Sequence, residues 1–435
     1  MTSSTLDTAL TLMRAANGPI MSGSVSRVLG LRFDVTGMRA ALGDAVFVPS
    51  MGLHGEVVSV AETGVTCMPF GELRGLRIGE RVVATNQQPQ IPVGRSMLGR
   101  VLNGMCEPID GKGPLITSSF AELHSQAPHP LSRPLIREAL PLGVRAWDGF
   151  VTAGRGQRVG VFAGSGVGKS TLLGMIARNS QADVNVVALI GERGREVREF
   201  IETELGDGLQ RSVVIVATSD QPALVRVRAA FAATALASWF RDQGLDVALM
   251  MDSVTRVCHA QREIGLSAGE PPATRGYPPS TFAMLPKLLE MAGTSDKGSV
   301  TGLYTVLVDG DDHNEPISDA ARSILDGHVT LSRKLAHAGH YPAIDVLASV
   351  SRVQSVVTSN EHRAMANHVR ALMAAFNEAR DLIEIGAYVP GTNPLVDEAV
   401  AKRPAIDAFL KQEVHDTAPY ASTLAGLELL ARPLL

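Results

Sequence analysis

Two patterns of apolar and polar positions divide the first part of the chain from the rest. From Gly23 to about Val83, short apolar runs are separated by glycine-containing turns, as in SGSVSRVL, DAVFV, GEVVSV and RVVAT. This pattern predicts a small β-barrel. Before it, STLDTALTLMRAAN places Leu6, Leu10 and Met13 on one face of a short helix. That helix is either a frayed terminus or a docking peptide for a partner.

The central part of the chain alternates strand-like apolar runs with helical patterns. From about Val144 to Ser351 the strand-like runs are RVGVFA, VNVVALIG, SVVIVAT, DVALMMD, TGLYTVLVDG and AIDVLASV. Such alternation predicts an α/β fold with a parallel sheet covered by helices. Before this region, Asn103-Gly104 and Asp110-Gly111 mark tight turns.

Beyond Ser351 the apolar positions recur with a helical period. They lie behind a capping box formed by Thr358 and Glu361 and comprise Met365, Val369, Leu372, Met373, Phe376 and Ile383. We therefore predict four regions, which are a docking helix at 1–20, a β-barrel at 21–88, an α/β domain at 89–355 and a helical C-terminal domain at 356–435.

Composition narrows the function classes. The 435 residues are 45% hydrophobic, 4% aromatic and 19% charged, which is typical of a soluble α/β protein. The net charge of −4 gives no support for general affinity toward nucleic acid or anionic lipid. No run of 18 or more apolar residues occurs, and the three cysteines do not have metal-ligand spacing. These features favour a protein of the reducing cytoplasm.

Residues 162–171, FAGSGVGKST, form a candidate phosphate-binding loop in which Ala163 replaces the usual first glycine. Small residues let backbone N–H groups point at phosphate oxygens, while Lys169 can reach the β- and γ-phosphates and Ser170 can bind Mg²⁺. The loop lies between a strand-like run and a helix whose N-terminus favours phosphate. The predicted nucleotide contacts are Gly164, Ser165, Gly166, Val167, Gly168, Lys169, Ser170 and Thr171.

Two acidic residues follow strand-like runs and complete a candidate hydrolytic site. Asp252 ends DVALMMD, and Glu192 follows VNVVALIG. Open α/β sheets place ligands at the carboxyl ends of their strands, so both carboxylates suit a site for attack of water on a γ-phosphate. Taken alone, Asp252 is better explained as the cap of the next helix.

The sequence resembles the catalytic subunits of the rotary ATPase superfamily, and most closely the flagellar type III export ATPases. The resemblance extends from about Gly23 to the end of the chain. It is carried by PLGVRAWDG, GRGQRVGVFAGSGVGKSTLLGM, IGERGREVREF, GEPPATRGYPPSTF, YTVLVDGDDHNEPISDAARSILDGH and HYPAIDVLASVSR. Export ATPases share the FAGSGVGKS form, so Ala163 is no departure from that family. The implied fold is a RecA-like P-loop core between a β-barrel and C-terminal helices.

The resemblance also implies roles for the residues around the phosphates. Lys169 would neutralise the β- and γ-phosphates of ATP, and Ser170 would bind Mg²⁺. Glu192 would polarise the attacking water, with Arg193 orienting the region of the γ-phosphate. Asp252 would be the acidic group that supports the metal.

Three further residues receive roles from the same resemblance. Arg352 would be an arginine finger acting on the nucleotide of a neighbouring subunit, although a surface or interface salt bridge is the ordinary explanation of such a residue. Tyr341 would stack on adenine, where plain packing beside Pro342 is the alternative. Tyr388, in IGAYVPG, would be a second wall of the adenine site.

An arginine acting in trans requires a closed ring, and the family implies a homohexamer. The other implied partners are a stator-like regulator on the N-terminal segment, a coiled-coil stalk in the pore, membrane proteins of the export gate, and export substrates with their chaperones. The expected location is the cytoplasmic face of the inner membrane, at the export apparatus.

Four functions compete. The first two are the ATPases of flagellar export and of the injectisome; GRGQR, GSGVGKS and IGAYVPG favour the flagellar one. GEPPATRGYPPS and DGDDHNEP argue against a third, a proton-driven synthase subunit. The fourth, a nucleic-acid translocase, predicts a basic barrel, whereas residues 1–90 carry seven basic and seven acidic side chains. We therefore expect no nucleic-acid partner.

Overall fold

The computed structural model describes residues 21–85, 89–308 and 315–433. The chain forms two compact units. The first unit contains the described part of Met1–Gln90 together with Pro222–Leu224 and Glu263–Pro271. The second contains Ile91–Gln221, Val225–Arg262 and the rest of the chain from Pro272. The helix expected at residues 1–20 lies outside the described residues.

The first unit is built on a closed β-barrel. Its strands, in the barrel order β1-β2-β5-β4-β3-β6, are β1 (Ser22–Leu29), β2 (Arg32–Thr36), β5 (Gly64–Pro69), β4 (Leu53–Ala61), β3 (Ala45–Val48) and β6 (Arg81–Ala84). Neighbouring strands pair antiparallel, so alternate side chains point into one core, which includes Val25, Phe33, Val46 and Val82. The barrel expected from the short alternating runs is confirmed.

The second unit is organised around a mainly parallel sheet of nine described strands. Along its path they are β17 (Ile344–Ser351), β16 (Gly327–Leu331), β10 (Arg158–Ala163), β15 (Ser299–Leu307), β13 (Asp246–Asp252), β11 (Val184–Ile190), β12 (Ser212–Ala217) and β8 (Arg100–Asn103), with β14 (Gly293–Thr294) beside β15. The strands β14 and β17 run antiparallel to their neighbours. A separate two-stranded sheet joins β7 (Gln90–Val93) and β9 (Ser119–Glu122).

Helices connect and cover this sheet. They are α1 (Arg145–Phe150), α2 (Lys169–Asn179), α3 (Gly194–Glu199), α4 (Ala223–Asp242), α5 (Val254–Ala268), α6 (Pro279–Glu290), α7 (Pro316–Ile324), α8 (Arg333–His337) and α9 (Gln354–Val357). A π-helical segment, Phe200–Leu205, continues directly from α3. The helix α4 is long and apolar enough to cross a membrane, but 89% of its apolar window is buried inside the protein, as in a core helix.

Three helices form the C-terminal region, which are α10 (Asn360–Glu384), α11 (Pro394–Leu410) and α12 (Tyr420–Ala431). The expected apolar face of α10 is present, since Val369 and Leu372 are buried and Met365 and Phe376 pack beside them. The expected cap is wrong by one residue. Ser359 has the extended conformation of an N-cap and accepts a hydrogen bond from the His362 amide at 3.1 Å, whereas the Thr358 hydroxyl donates to Gln354 O.

Candidate functional site

The phosphate-binding loop connects the central strand β10 to α2. Gly166 and Gly168 have φ angles of +76° and +86°, which a residue with a side chain adopts only with strain. The loop forms one wall of a cavity of about 540 Å³. Of the eight predicted nucleotide contacts, Gly164, Ser165, Gly166, Gly168, Lys169, Ser170 and Thr171 line this cavity, and Val167 is buried behind it.

Ala163 is the last residue of β10 and is buried, and it pairs with Leu307 on one side and Leu331 on the other. Its backbone is therefore ordinary strand. A methyl side chain fits at this position because the chain bends only after Gly164. The positions that require glycine come later in the loop.

Lys169 lies between the two acidic residues that follow the parallel strands. Its Nζ is 2.5 Å from Asp252 Oδ1 and 3.6 Å from Glu192 Oε1. Asp252 is buried, and its Oδ1 also accepts a 2.8 Å hydrogen bond from the Thr305 hydroxyl on β15. The strands β11 and β13 are direct neighbours and parallel, so their carboxyl ends bring both acids to the same edge.

The charges of this group shift the proton affinity of its members. Burial raises the pKa of Glu192, and the nearby Asp252 carboxylate raises it further, against the opposing effect of Lys169. Burial alone would lower the pKa of Lys169, but Asp252 and Glu192 together hold it above its ordinary value. A carboxylate with a raised pKa is better suited to accept a proton near neutral pH.

Sequence reasoning missed the π-helical segment that closes one side of the cavity. Its Glu204 lines the cavity and accepts a 2.8 Å hydrogen bond from the hydroxyl of Thr171. The segment approaches α2 at Gly174, where an added Cβ would lie 2.7 Å from Glu204 O. No feature of the local sequence indicates this approach, which depends on contact between two separate helical segments.

Arg256 was also missed. It lies on α5, four residues after Asp252, and lines the cavity. Its side chain packs on Gly191, and its charge lowers the pKa of Glu192. Its Nε is buried and has no hydrogen-bond partner among the residues that the structure describes. The spacing of one helical turn after a strand-terminal acid could have revealed it.

The two arginines predicted from the resemblance are both exposed. The side chain of Arg193 lines the cavity, and it pairs with Glu196 at 3.6 Å. Arg352 is placed after β17, where its amide donates to Asp326 O at 2.9 Å and its Nη2 to Arg322 O at 3.4 Å. The described residues lining the cavity do not include Arg352, so within a single chain the structure does not bring it to the phosphate loop.

The two predicted adenine contacts lie in different places. The ring of Tyr341 is 45% exposed and approaches Gly168, whose added Cβ would lie 3.3 Å from two ring carbons. Tyr388 follows α10, and its hydroxyl bonds to Asn393 O and to Asp397 Oδ1 at 2.9 Å. Among the described residues that form the cavity wall, Tyr388 is absent. The structure thus joins Tyr341, but not Tyr388, to the phosphate loop.

The oxygen donors fit a Mg²⁺ ion that arrives with a nucleotide. Ser170 presents its hydroxyl at the cavity, and Asp252 holds a buried carboxylate beside Lys169. Within the described ranges, no cluster of three or more His, Cys, Asp or Glu side chains could hold a metal ion unaided. Mg²⁺ commonly uses one or two protein oxygens together with substrate phosphates, and this donor set suits that arrangement.

Three family descriptions match the chain in consecutive regions. They are the ATP synthase alpha/beta family β-barrel domain at 25–86, the nucleotide-binding domain of the same family at 143–351, and the T3SS EscN ATPase C-terminal domain at 358–428.

Full-length relatives extend this similarity. The chain is 49% identical to the "Flagellum-specific ATP synthase" of Bacillus subtilis (strain 168), with 94% of each chain covered. It is 49% identical to the "Type 3 secretion system ATPase" of Xanthomonas euvesicatoria, with 92% of each covered. A solved structure, the assembled ATPase EscN in complex with its central stalk EscO from enteropathogenic E. coli, matches with TM-score 0.89 and 42% identity, over 94% of this chain and all of that one.

Proposed function

Because this chain belongs to the ATP synthase alpha/beta family, among the ATPases of flagellar and type III secretion systems, we propose that it hydrolyses ATP to energise the export of flagellar proteins. The observation that carries the proposal is the meeting of Lys169, Asp252 and Glu192 at one phosphate-binding loop. We assign the docking segment to 1–20, the barrel to 21–88, the ATPase domain to 89–355 and the helical domain to 356–435.

The residues of the cavity divide the work of phosphoryl transfer. The backbone amides of Gly164–Thr171 bind phosphate oxygens, and Lys169 leaves its carboxylate partners to compensate the β- and γ-phosphate charge. Ser170 and, through water, Asp252 would hold a Mg²⁺ ion that arrives with ATP, and the ion would offset the negative charge of the phosphates.

The remaining groups act on the water, the γ-phosphate and the base. Glu192 orients the attacking water and accepts its proton, for which its raised pKa is favourable. Arg193, on the cavity wall, orients the γ-phosphate. Tyr341 presents an exposed ring beside the loop, on which adenine stacks. For Tyr388 we propose only a structural role within the C-terminal region, since its hydroxyl donates hydrogen bonds to Asn393 O and Asp397 Oδ1.

A lysine variant tests the site directly. Lys169→Ala is expected to weaken ATP binding and to abolish turnover, because the charge compensation of the phosphates is lost. Lys297→Ala, which removes an exposed lysine outside the cavity, is the matched control. Binding measured by calorimetry and phosphate release measured by a coupled assay would contradict the proposal if both variants behaved alike.

We further propose that Arg352 completes the site of a neighbouring protomer in a homohexameric ring. Its exposure, and its separation from the cavity of its own chain, support action in trans. An arginine supplied across an interface contributes about 10³- to 10⁵-fold to phosphoryl transfer. Rings mixed from Arg352→Ala and Lys169→Ala subunits should regain turnover, because some interfaces pair an intact loop with an intact arginine. Mixed rings that form and stay inactive would refute action in trans.

The other proposed partners follow from the family. A stator-like regulator would bind residues 1–20 and a coiled-coil stalk would occupy the ring pore, while the export gate and chaperoned substrates would meet the ring at the cytoplasmic face of the inner membrane. The alternative machine is an injectisome, supported by the equal identity to the Xanthomonas relative. Deletion of the gene for this chain would distinguish the two machines. A flagellar ATPase predicts that flagellar assembly stops in the deletion strain and resumes when this chain is supplied.

A further inference from the structure

The connector between α11 and α12 holds the backbone of Tyr341 through one buried residue, Gln412. The Gln412 amide nitrogen donates to Tyr341 O at 3.0 Å. This bond joins the C-terminal helical region to the turn that follows α8. The ring of Tyr341 lies beside Gly168, and 45% of the surface of this tyrosine is exposed.

The hydrogen bonds of the Gln412 side chain fix the position of its backbone N–H. Its Oε1 accepts from Arg145 N at 2.9 Å, and its Nε2 donates to Gly143 O at 2.9 Å and to Asp416 O at 3.2 Å. Gln412 is only 5% exposed, and protein groups satisfy both polar atoms of its side chain. A side-chain amide with donor and acceptor ends both engaged has one orientation.

The segment that receives Gln412 is itself held by buried hydrogen bonds. Asp148 is fully buried on α1 and accepts hydrogen bonds from the amides of Leu142 and Gly143 at 2.9 and 2.8 Å. Arg145 adds a second anchor, because its guanidinium donates to Phe409 O in the last turn of α11 and to Lys411 O in the connector. A continuous set of hydrogen bonds therefore runs from Asp148 through Gln412 to Tyr341.

From this geometry we infer that Gln412 is a positioning residue for the adenine base, acting through Tyr341 and not touching the phosphates. The inference rests on the proposed function, in which Tyr341 stacks on adenine. Stacking requires the ring plane to be held at a fixed height above the base. Loss of Gln412 frees the Tyr341 backbone and weakens base binding, while the phosphate loop, anchored on β10 and α2, keeps its geometry.

The test compares a ligand with a base and a ligand without one. Wild type, Gln412→Ala and Tyr341→Ala are titrated with Mg·ADP and with Mg·pyrophosphate by calorimetry. Complete loss of base stacking corresponds to about 5- to 150-fold in affinity. We expect Gln412→Ala to raise the Kd for ADP about three- to tenfold, with the Kd for pyrophosphate unchanged and kcat nearly constant. Because both act on the same ring, Gln412→Ala and Tyr341→Ala should combine less than additively.

Two other variants keep the test decisive. Arg145→Ala removes the side-chain hydrogen bonds to Phe409 O and Lys411 O while Gln412 remains, and it should give a smaller defect of the same base-selective kind. Lys402→Met is the control, since it removes three hydrogen bonds within the C-terminal region, to Glu398, Leu430 and Arg432, none of which involves Tyr341 or Gln412. It should leave the ratio of ADP to pyrophosphate affinity unchanged.

The outcomes separate the inference from the proposed function. Two results would each overturn the role of Gln412. One is a ratio of ADP to pyrophosphate affinity in Gln412→Ala that equals that of wild type, and the other is additive effects of Gln412→Ala and Tyr341→Ala. Wild-type protein that neither binds Mg·ADP nor hydrolyses ATP would instead refute the proposed function.

Discussion

Replacing Gly174 with alanine should destabilise the protein, although alanine is the better helix former. Gly174 lies within α2, directly after the phosphate loop. An added Cβ would lie 2.7 Å from Glu204 O, 2.8 Å from Glu204 Cβ and 2.9 Å from Glu204 C, so the backbone of the π-helical segment must move. Helix propensity alone predicts a gain of about 1 kcal/mol. Overpacking typically costs about 1–3 kcal/mol, and a clash with backbone lies at the upper end.

The net expectation for Gly174→Ala is a loss of up to about 2 kcal/mol in the free energy of unfolding. At roughly 2–4 °C per kcal/mol for a domain of this size, the Tm should fall by several degrees. The assay is thermal unfolding followed by circular dichroism without nucleotide. Gly194→Ala at the start of α3 is the matched control, because its added Cβ meets no atom within 4 Å and should leave Tm unchanged or higher. A Gly174→Ala protein more stable than wild type would refute the reasoning.

Three further outcomes are expected. Asp252→Asn removes a charge that raises the pKa of Glu192, so the acid limb of kcat/KM against pH should move to lower pH; an unmoved or higher limb would contradict that coupling. Arg100 lies 2.7 Å from Asp110 and holds the pKa of that carboxyl below its usual range. The ionised Asp110 therefore stabilises the fold above its unfolded pKa of about 4, and this stability is lost as pH falls. The difference in Tm between wild type and Asp110→Asn should accordingly shrink in acid, and a wider difference would contradict the pairing. Deleting residues 2–17 should lower export in cells and spare hydrolysis and Tm, whereas a Tm fall without an export defect would assign that segment to the fold.

Local periodicity explains which parts of the site the sequence could predict. The run RVGVFA, the glycines after it and the helix from Lys169 are consecutive, so their order alone predicts a phosphate-binding loop. Glu192 and Asp252 follow strands that are parallel neighbours, and parallel strands share one functional edge. Their convergence on Lys169 follows from fold class, without knowledge of side-chain contacts.

The parts that could not be predicted depend on contacts between distant segments. Glu204 reaches Thr171 only because a π-helical segment packs against Gly174. Gln412 meets Gly143 and Arg145 across more than 260 residues of sequence. The strand β16, which was not predicted, is a five-residue segment between two helices, and its partner β17 runs antiparallel, which periodicity does not reveal. The cap of α10 differs by one residue, because Thr358 and Ser359 both suit that position and only backbone geometry decides between them.

The most direct test of the account is the chemical step of a Glu192→Gln variant, measured in a single turnover of Mg·ATP, together with its affinity for Mg·ADP. An isosteric amide cannot accept the proton of the attacking water, and a general base contributes about 10²- to 10⁴-fold. Glu202→Gln, the same change at an exposed position that pairs with Arg198 outside the cavity, is the control. The account predicts that Glu192→Gln binds ADP like wild type and hydrolyses ATP at least about 100-fold more slowly, with Glu202→Gln unaffected. Near wild-type hydrolysis by Glu192→Gln would contradict it.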